Sequence, residues 1–197
     1  MSASVPPSPW TNAAAEEPRV PRGTPVYTAW AWVTAWTTVA AVAASAVMMW
    51  LLTGPILTYA RHVAELSGMA ATGARVQPSA VFAIMFDLMP GIMTASLVGT
   101  LLSWALYALA IVAGYRDYVQ LGRLGYPKRF HWAWSFLSPV YPIGRAVVVR
   151  RQAGAGSATM WIALAATAAS LLLSLGWSFW LMTAMFDAMR AGLGTFA

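Results

Sequence analysis

The chain contains no cysteine. That excludes disulfides, thiolate nucleophiles and any metal site built on sulfur. Histidine is almost as scarce: His62 and His131 are the whole supply, which leaves little for metal ligation or general-base work. There is no Gly-rich phosphate loop and no His-Glu-x-x-His pattern. Serines are plentiful, but a nucleophile needs a positioned base. The only local pairings are His62 with Glu65 and His131 with Ser135. No catalytic set, metal site or cofactor is expected. Charge is scarce too: charged residues make up 9 % of the 197, against about 25 % in a soluble domain. So few charges cannot cover a water-facing surface.

What fills the chain is apolar length, with 59 % hydrophobic residues. Tyr27 to Leu52 carries no charge and would extend about 39 Å as a helix, more than a hydrocarbon core of about 30 Å. Trp30 and Trp32 stand at one end and Trp50 at the other, as interfacial belts do. Gly54 and Pro55 are expected to end it. Ala40, Ala41, Ala44 and Ser45 are spaced for close helix contact, within the chain or with another copy of it in a homo-oligomer. A second span is read over 91–114, with Ser96, Gly99, Ser103, Tyr107, Ala110 and Gly114 on one face and Leu97, Leu101, Trp104 and Ile111 turned to lipid. A third is read over 159–186, with Ala163, Thr167, Ser170, Ser174 and Ser178 on a like face.

The remaining segments fall around these spans. Met1 to Thr24 is Pro-rich and too polar to bury a core, so it reads as a disordered tail, not a secretory signal. Within 55–90, Ile56, Tyr59, Val63 and Leu66 recur at helical spacing, with Arg61 and Glu65 at i,i+4. That reads as an amphipathic helix on the outer surface, followed by a small-residue loop and a helix capped by Ser79. Asp87 lies in an apolar run just before Pro90. An acid there is a candidate ion- or proton-sensing group.

Tyr115 to Arg151 concentrates the charge. It holds Arg116, Arg123, Lys128, Arg129, Arg145, Arg150 and Arg151, seven of the chain's 12 Lys and Arg, against one acid, Asp117. Lys and Arg resist translocation, so this stretch belongs inside. The net charge of +6 therefore reflects topology, and nucleic acid is not an expected partner. Pro139, Pro142 and Arg145 interrupt the apolar run over 130–149. It is expected to lie in the inner interface or to dip in and return; a fourth span is the weaker alternative. Trp132 and Trp134 are headgroup-seeking rings. The candidate lipid- or partner-binding set is Arg123, Lys128, Arg129, Trp132, Trp134, Arg145, Arg150 and Arg151.

The block LGRLGYPKRFHWAWSFLSPVYPIGRAVVVRRQAGAG resembles one found in small multi-span membrane proteins of actinobacteria, a functionally uncharacterised family. In it a "PFHWAW-F---VY-IGR--VVRR" pattern sits between two membrane helices. The resemblance covers that block alone and implies location and topology but no activity. Members often carry a zinc ribbon or small soluble module before the first helix; the cysteine-free Pro-rich tail departs from that.

The expected fold is an all-α, polytopic transmembrane helical bundle of three spans plus interfacial helices. With the N-terminus cytoplasmic, nine Lys/Arg lie inside and three outside, namely Arg61, Arg75 and Arg190. The C-terminus is then outside. The leading functional expectation is an accessory or scaffold subunit of the cell membrane that binds a membrane protein or anionic lipid through the basic stretch. The alternatives are a small oligomeric transporter or channel using Asp87, and a lipid-acting enzyme using His62, Glu65 or Asp87.

Overall fold

The computed structural model describes residues 20–21, 23–75 and 77–194. Four helices account for most of them: α1 Ala29–Ala71, α2 Pro78–Arg123, α3 Val140–Ala153 and α4 Ala158–Gly194. A short 3-10 turn, Trp132–Phe136, precedes α3. The described residues contain no strand. Three helices, α1, α2 and α4, are long and apolar enough to cross a membrane. The 14 residues of α3 extend only about 21 Å, short of a hydrocarbon core of about 30 Å. The fold is the expected three-span helical bundle, without a fourth crossing. Most of the tail read over Met1 to Thr24, with Arg19 and Arg22, lies outside the described residues.

The bundle is built inside-out relative to a soluble protein. Trp50, Phe86, Leu172 and Phe179 are 70–76 % exposed, while the buried positions of α1 are small: Ala31, Thr34, Ala35, Thr37, Ala60, Ala64 and Gly68. A continuous apolar exterior is untenable in water and ordinary in lipid. In lipid, burial of apolar surface drives little, so small residues that let backbones approach form the contacts. α1 is the central helix. It packs along both α2 and α4, which barely touch each other.

The boundaries differ from the sequence reading. Gly54 and Pro55 do not end α1, which runs on to Ala71 with Pro55 inside it. α2 likewise contains Pro90. A proline removes one helical hydrogen bond, but membrane helices tolerate this where hydroxyls and neighbours take up freed groups. Next to Pro55, the Thr53 hydroxyl donates to the Met49 carbonyl at 2.7 Å and accepts from the Trp177 indole of α4 at 3.3 Å. Past the proline, Ala60, Ala64 and Gly68 are buried at every fourth residue, so the contact face continues. The segment read as a surface helix is therefore the far half of α1. Ser79 is not a cap: α2 starts at Pro78 after Gln77, where a missing N–H costs nothing. The Ala40–Ser45 face is also not the tightest contact, because Ala41 and Ser45 are exposed. Leu97, Leu101 and Trp104 do face outward, whereas Ile111 is half-buried.

α2 has to carry the chain from one face of the membrane to the other. In this cysteine-free chain, Thr72→Cys and Lys128→Cys should react with an impermeant maleimide from opposite sides. Labelling of both from one side would contradict a spanning α2.

Candidate functional site

The basic end of the bundle is organised by one carboxylate. Asp117 is fully buried and accepts hydrogen bonds from three side chains on two other segments. Arg145 of α3 donates from Nε at 2.8 Å and from Nη2 at 3.4 Å. The Tyr141 phenol, one turn earlier on α3, donates at 2.8 Å. The Thr28 hydroxyl, at the start of α1, donates to the other carboxylate oxygen. Thr28 also caps α1, accepting from the Ala31 N–H at 3.0 Å. The carboxylate thus sits beside a helix N-terminus, where negative charge is favoured. Arg145 donates a further bond to the Val26 carbonyl at 3.0 Å. Burial first, and Asp117 next, hold the Tyr141 phenol well above the ordinary tyrosine range, so it remains a donor.

Around this node the loop and α3 fold back on α2 as a small module. Leu121, Tyr126 and Val149 form a cluster that Val20, Val26, Leu124 and Ala153 cover. Gln152 clasps Lys128, accepting from its N–H at 3.2 Å and donating to its carbonyl at 2.7 Å. The Val20 N–H in turn donates to the Gln152 carbonyl at 3.3 Å. The end of the segment read as a disordered tail is therefore part of the fold. α3 stops at Gly154, whose φ of +75° is the left-handed conformation that favours glycine at a helix end.

The segment before α3 is re-entrant along the α2 surface. A Cβ at Gly114 would overlap the Ser135 side chain, so the glycine is what lets the 3-10 turn approach. Farther along, the Tyr107 hydroxyl donates to the Phe136 carbonyl at 3.2 Å. Tyr107 is 16 residues before Arg123, or about 24 Å along the helix. The turn thus reaches the apolar part of α2, where non-helical backbone groups need protein partners. Aromatic contacts line its path: Tyr115 with Trp132 at 5.6 Å, Trp132 with Phe136 at 6.0 Å and Phe130 with Trp134 at 5.9 Å.

The residues singled out from sequence separate into groups. Arg123, Lys128, Arg150 and Arg151 are exposed and make no ion pair among the described residues. Arg129 is also exposed, but its guanidinium lies 4.4 Å from the Tyr118 ring centre and donates to the Tyr118 carbonyl. Trp132 is half-buried and Trp134 is 46 % exposed. Arg145 does not belong with the surface set; its side chain is fully buried against Asp117. His131 accepts from the Ala133 N–H and so caps the 3-10 turn. Asp87 is exposed on α2, and no group of three His, Asp or Glu able to hold a metal occurs among the described residues. His62 is hydrogen-bonded through Nδ1 to the Thr58 carbonyl of its own helix at 2.8 Å.

Sequence reasoning missed the node itself. The signal was present: Asp117 is the only acid in the basic stretch, and Arg145 the only cation inside its apolar run. No family model, curated protein or solved structure matches the chain. The fold and site define a polytopic helical membrane protein with a folded basic cap.

Asp117→Asn leaves a buried guanidinium without its counter-charge and should cost about 3–5 kcal/mol in unfolding free energy. Asp117→Asn combined with Arg145→Met should cost clearly less than the two single changes added together. Strict additivity in denaturant unfolding would rule out the coupling. Tyr107→Phe should cost about 1 kcal/mol by the same measurement.

Proposed function

We propose that this chain is an accessory or scaffold subunit of the cell membrane, with its N-terminus and basic cap in the cytoplasm, that holds an acidic surface against the inner leaflet. The observation that carries the reading is the division of the cations. Arg145 neutralises the one buried acid, while Arg123, Lys128, Arg129, Arg150 and Arg151 all remain exposed on a cap tied to α1 and α2. A fixed rim of five cations fits anionic headgroups or an acid-rich face of a neighbouring membrane protein. Each Lys or Arg near an anionic leaflet contributes about 1 kcal/mol. The same excess of cations on the cap side favours the N-in orientation. The likeness of the Leu121 to Gly156 stretch to small actinobacterial multi-span proteins accords with this location.

Replacing Arg123, Lys128, Arg129, Arg150 and Arg151 together by Gln should weaken capture of an anionic lipid or co-purifying partner at least tenfold, with the same direction of change on raising salt. Binding that is unchanged, in a variant whose topology and melting are intact, would remove the reading.

A further inference from the structure

Only residues 154–157 separate α3 from α4, so the last turns of α3 lie beside the first turn of α4. Between them is a hollow of about 390 Å³, within the range of about 300–1,000 Å³ usual for small-molecule sites. Its lining is divided by chemistry. α3 contributes Ala146, Val147, Arg150 and Arg151 from one helix face, and the start of α4 contributes Ser157 and Met160.

Two guanidiniums therefore share one concavity, and no acid lines it. Neither belongs to an ion pair among the described residues, where the ion pair that forms joins Arg145 to Asp117. Cations in the last turn of a helix are favoured by its dipole. That accounts for Arg150 and Arg151 standing at the end of α3; it does not account for a hollow that both border. Like charges repel across such a space, and the apolar walls strengthen the field inside it, so an anion is what it lacks. Its level is marked by Trp161, which follows Met160 and is 62 % exposed. Such rings gather at the headgroup zone.

We propose that this hollow is a phosphate site, filled by the headgroup phosphate of one anionic glycerophospholipid. Arg150 and Arg151 donate to the phosphate oxygens, because the fork of a guanidinium matches a phosphate edge. The Ser157 hydroxyl, half-buried on the α4 side, is a further donor. A zwitterionic headgroup would bring an ammonium beside two guanidiniums with no acid to receive it. Free phosphate has the same chemistry but leaves the apolar wall of Ala146, Val147 and Met160 uncovered. The assignment rests on the cap facing an anionic leaflet, as proposed above, and adds to it a discrete site for one lipid.

Native mass spectrometry of the full chain in mild detergent, with phosphatidylglycerol, phosphatidylcholine or inorganic phosphate added, tests this. The expected result is one phosphatidylglycerol per chain, held roughly tenfold more tightly than phosphatidylcholine and not displaced by an equal concentration of inorganic phosphate. Arg150→Gln with Arg151→Gln should weaken retention by roughly tenfold or more. Arg123→Gln with Lys128→Gln removes the same charge from outside the hollow and should change retention less than about twofold. Val147→Trp fills the hollow without altering charge; Val147 is 39 % exposed, so the larger ring is not forced into the core. It should abolish retention with melting unchanged. Equal losses from the two double variants would overturn the discrete site while leaving the cap's attraction to anionic surfaces standing. Retention untouched by replacing all five rim cations with Gln would overturn both. The site is equally overturned if Val147→Trp leaves retention unchanged, or if inorganic phosphate displaces the lipid at equal concentration.

Discussion

The arrangement at the basic end depends on a single buried charge pair. Asp117 and Arg145 are both withdrawn from solvent. Burying either alone would be prohibitive, and even together their attraction must offset two desolvation costs. The surrounding hydrogen bonds are what make the pair tenable. Thr28 and Tyr141 complete the carboxylate's shell, and the Val26 carbonyl takes part of the guanidinium's. Those partners come from the start of α1 and from α3. Satisfying the charge therefore fixes the register of three segments at once. A well-packed apolar trio could give equal stability, but it would tolerate sliding that a directional, four-bonded carboxylate does not.

The same constraint explains how an irregular backbone lies along the apolar part of α2. The turn from Trp132 to Phe136 cannot satisfy all its polar groups internally. His131 caps its start and Tyr107 takes the Phe136 carbonyl near its end. The glycine at 114 admits it to the helix surface. α3 then returns the chain to the cap, where Gln152 and the Leu121–Tyr126–Val149 cluster close the module. The exposed cations project from this fixed frame.

Much of this was legible from composition and spacing. The absence of charge along Tyr27–Leu52, 91–114 and 159–186 located three spans, because a bilayer imposes length and apolarity directly. The interrupted run over 130–149 was legible as a segment that does not cross, either lying in the interface or dipping in and returning, because Pro139, Pro142 and Arg145 argue against a straight crossing. The helix ends were harder to read. Pro55 and Pro90 are stop signals in water, and only the tertiary partners of a membrane helix make them passable. The node was hidden for another reason. Positive-inside logic counts Arg145 with the other cations and has no means of pairing it with an acid 28 residues away on a different helix. Asp87 drew attention as an acid in an apolar run, and His62 with Glu65 as a local pairing on a segment read as a surface helix. The side chains that converge on a common centre are instead Asp117, Tyr141, Arg145 and Thr28.

The Asp117–Arg145 pair holds the re-entrant turn against the apolar part of α2, which in a bilayer lies at membrane depth. A nitroxide attached at Leu137→Cys, which is exposed at the tip of the turn, reports that depth in liposomes through its collision rates with oxygen and with a water-soluble nickel chelate. The account predicts oxygen-accessible, chelate-protected behaviour in the otherwise native chain, and a shift toward the chelate when Asp117→Asn is added. A label that meets the chelate freely in the native background, or a depth that Asp117→Asn leaves unchanged in a folded protein, would contradict it.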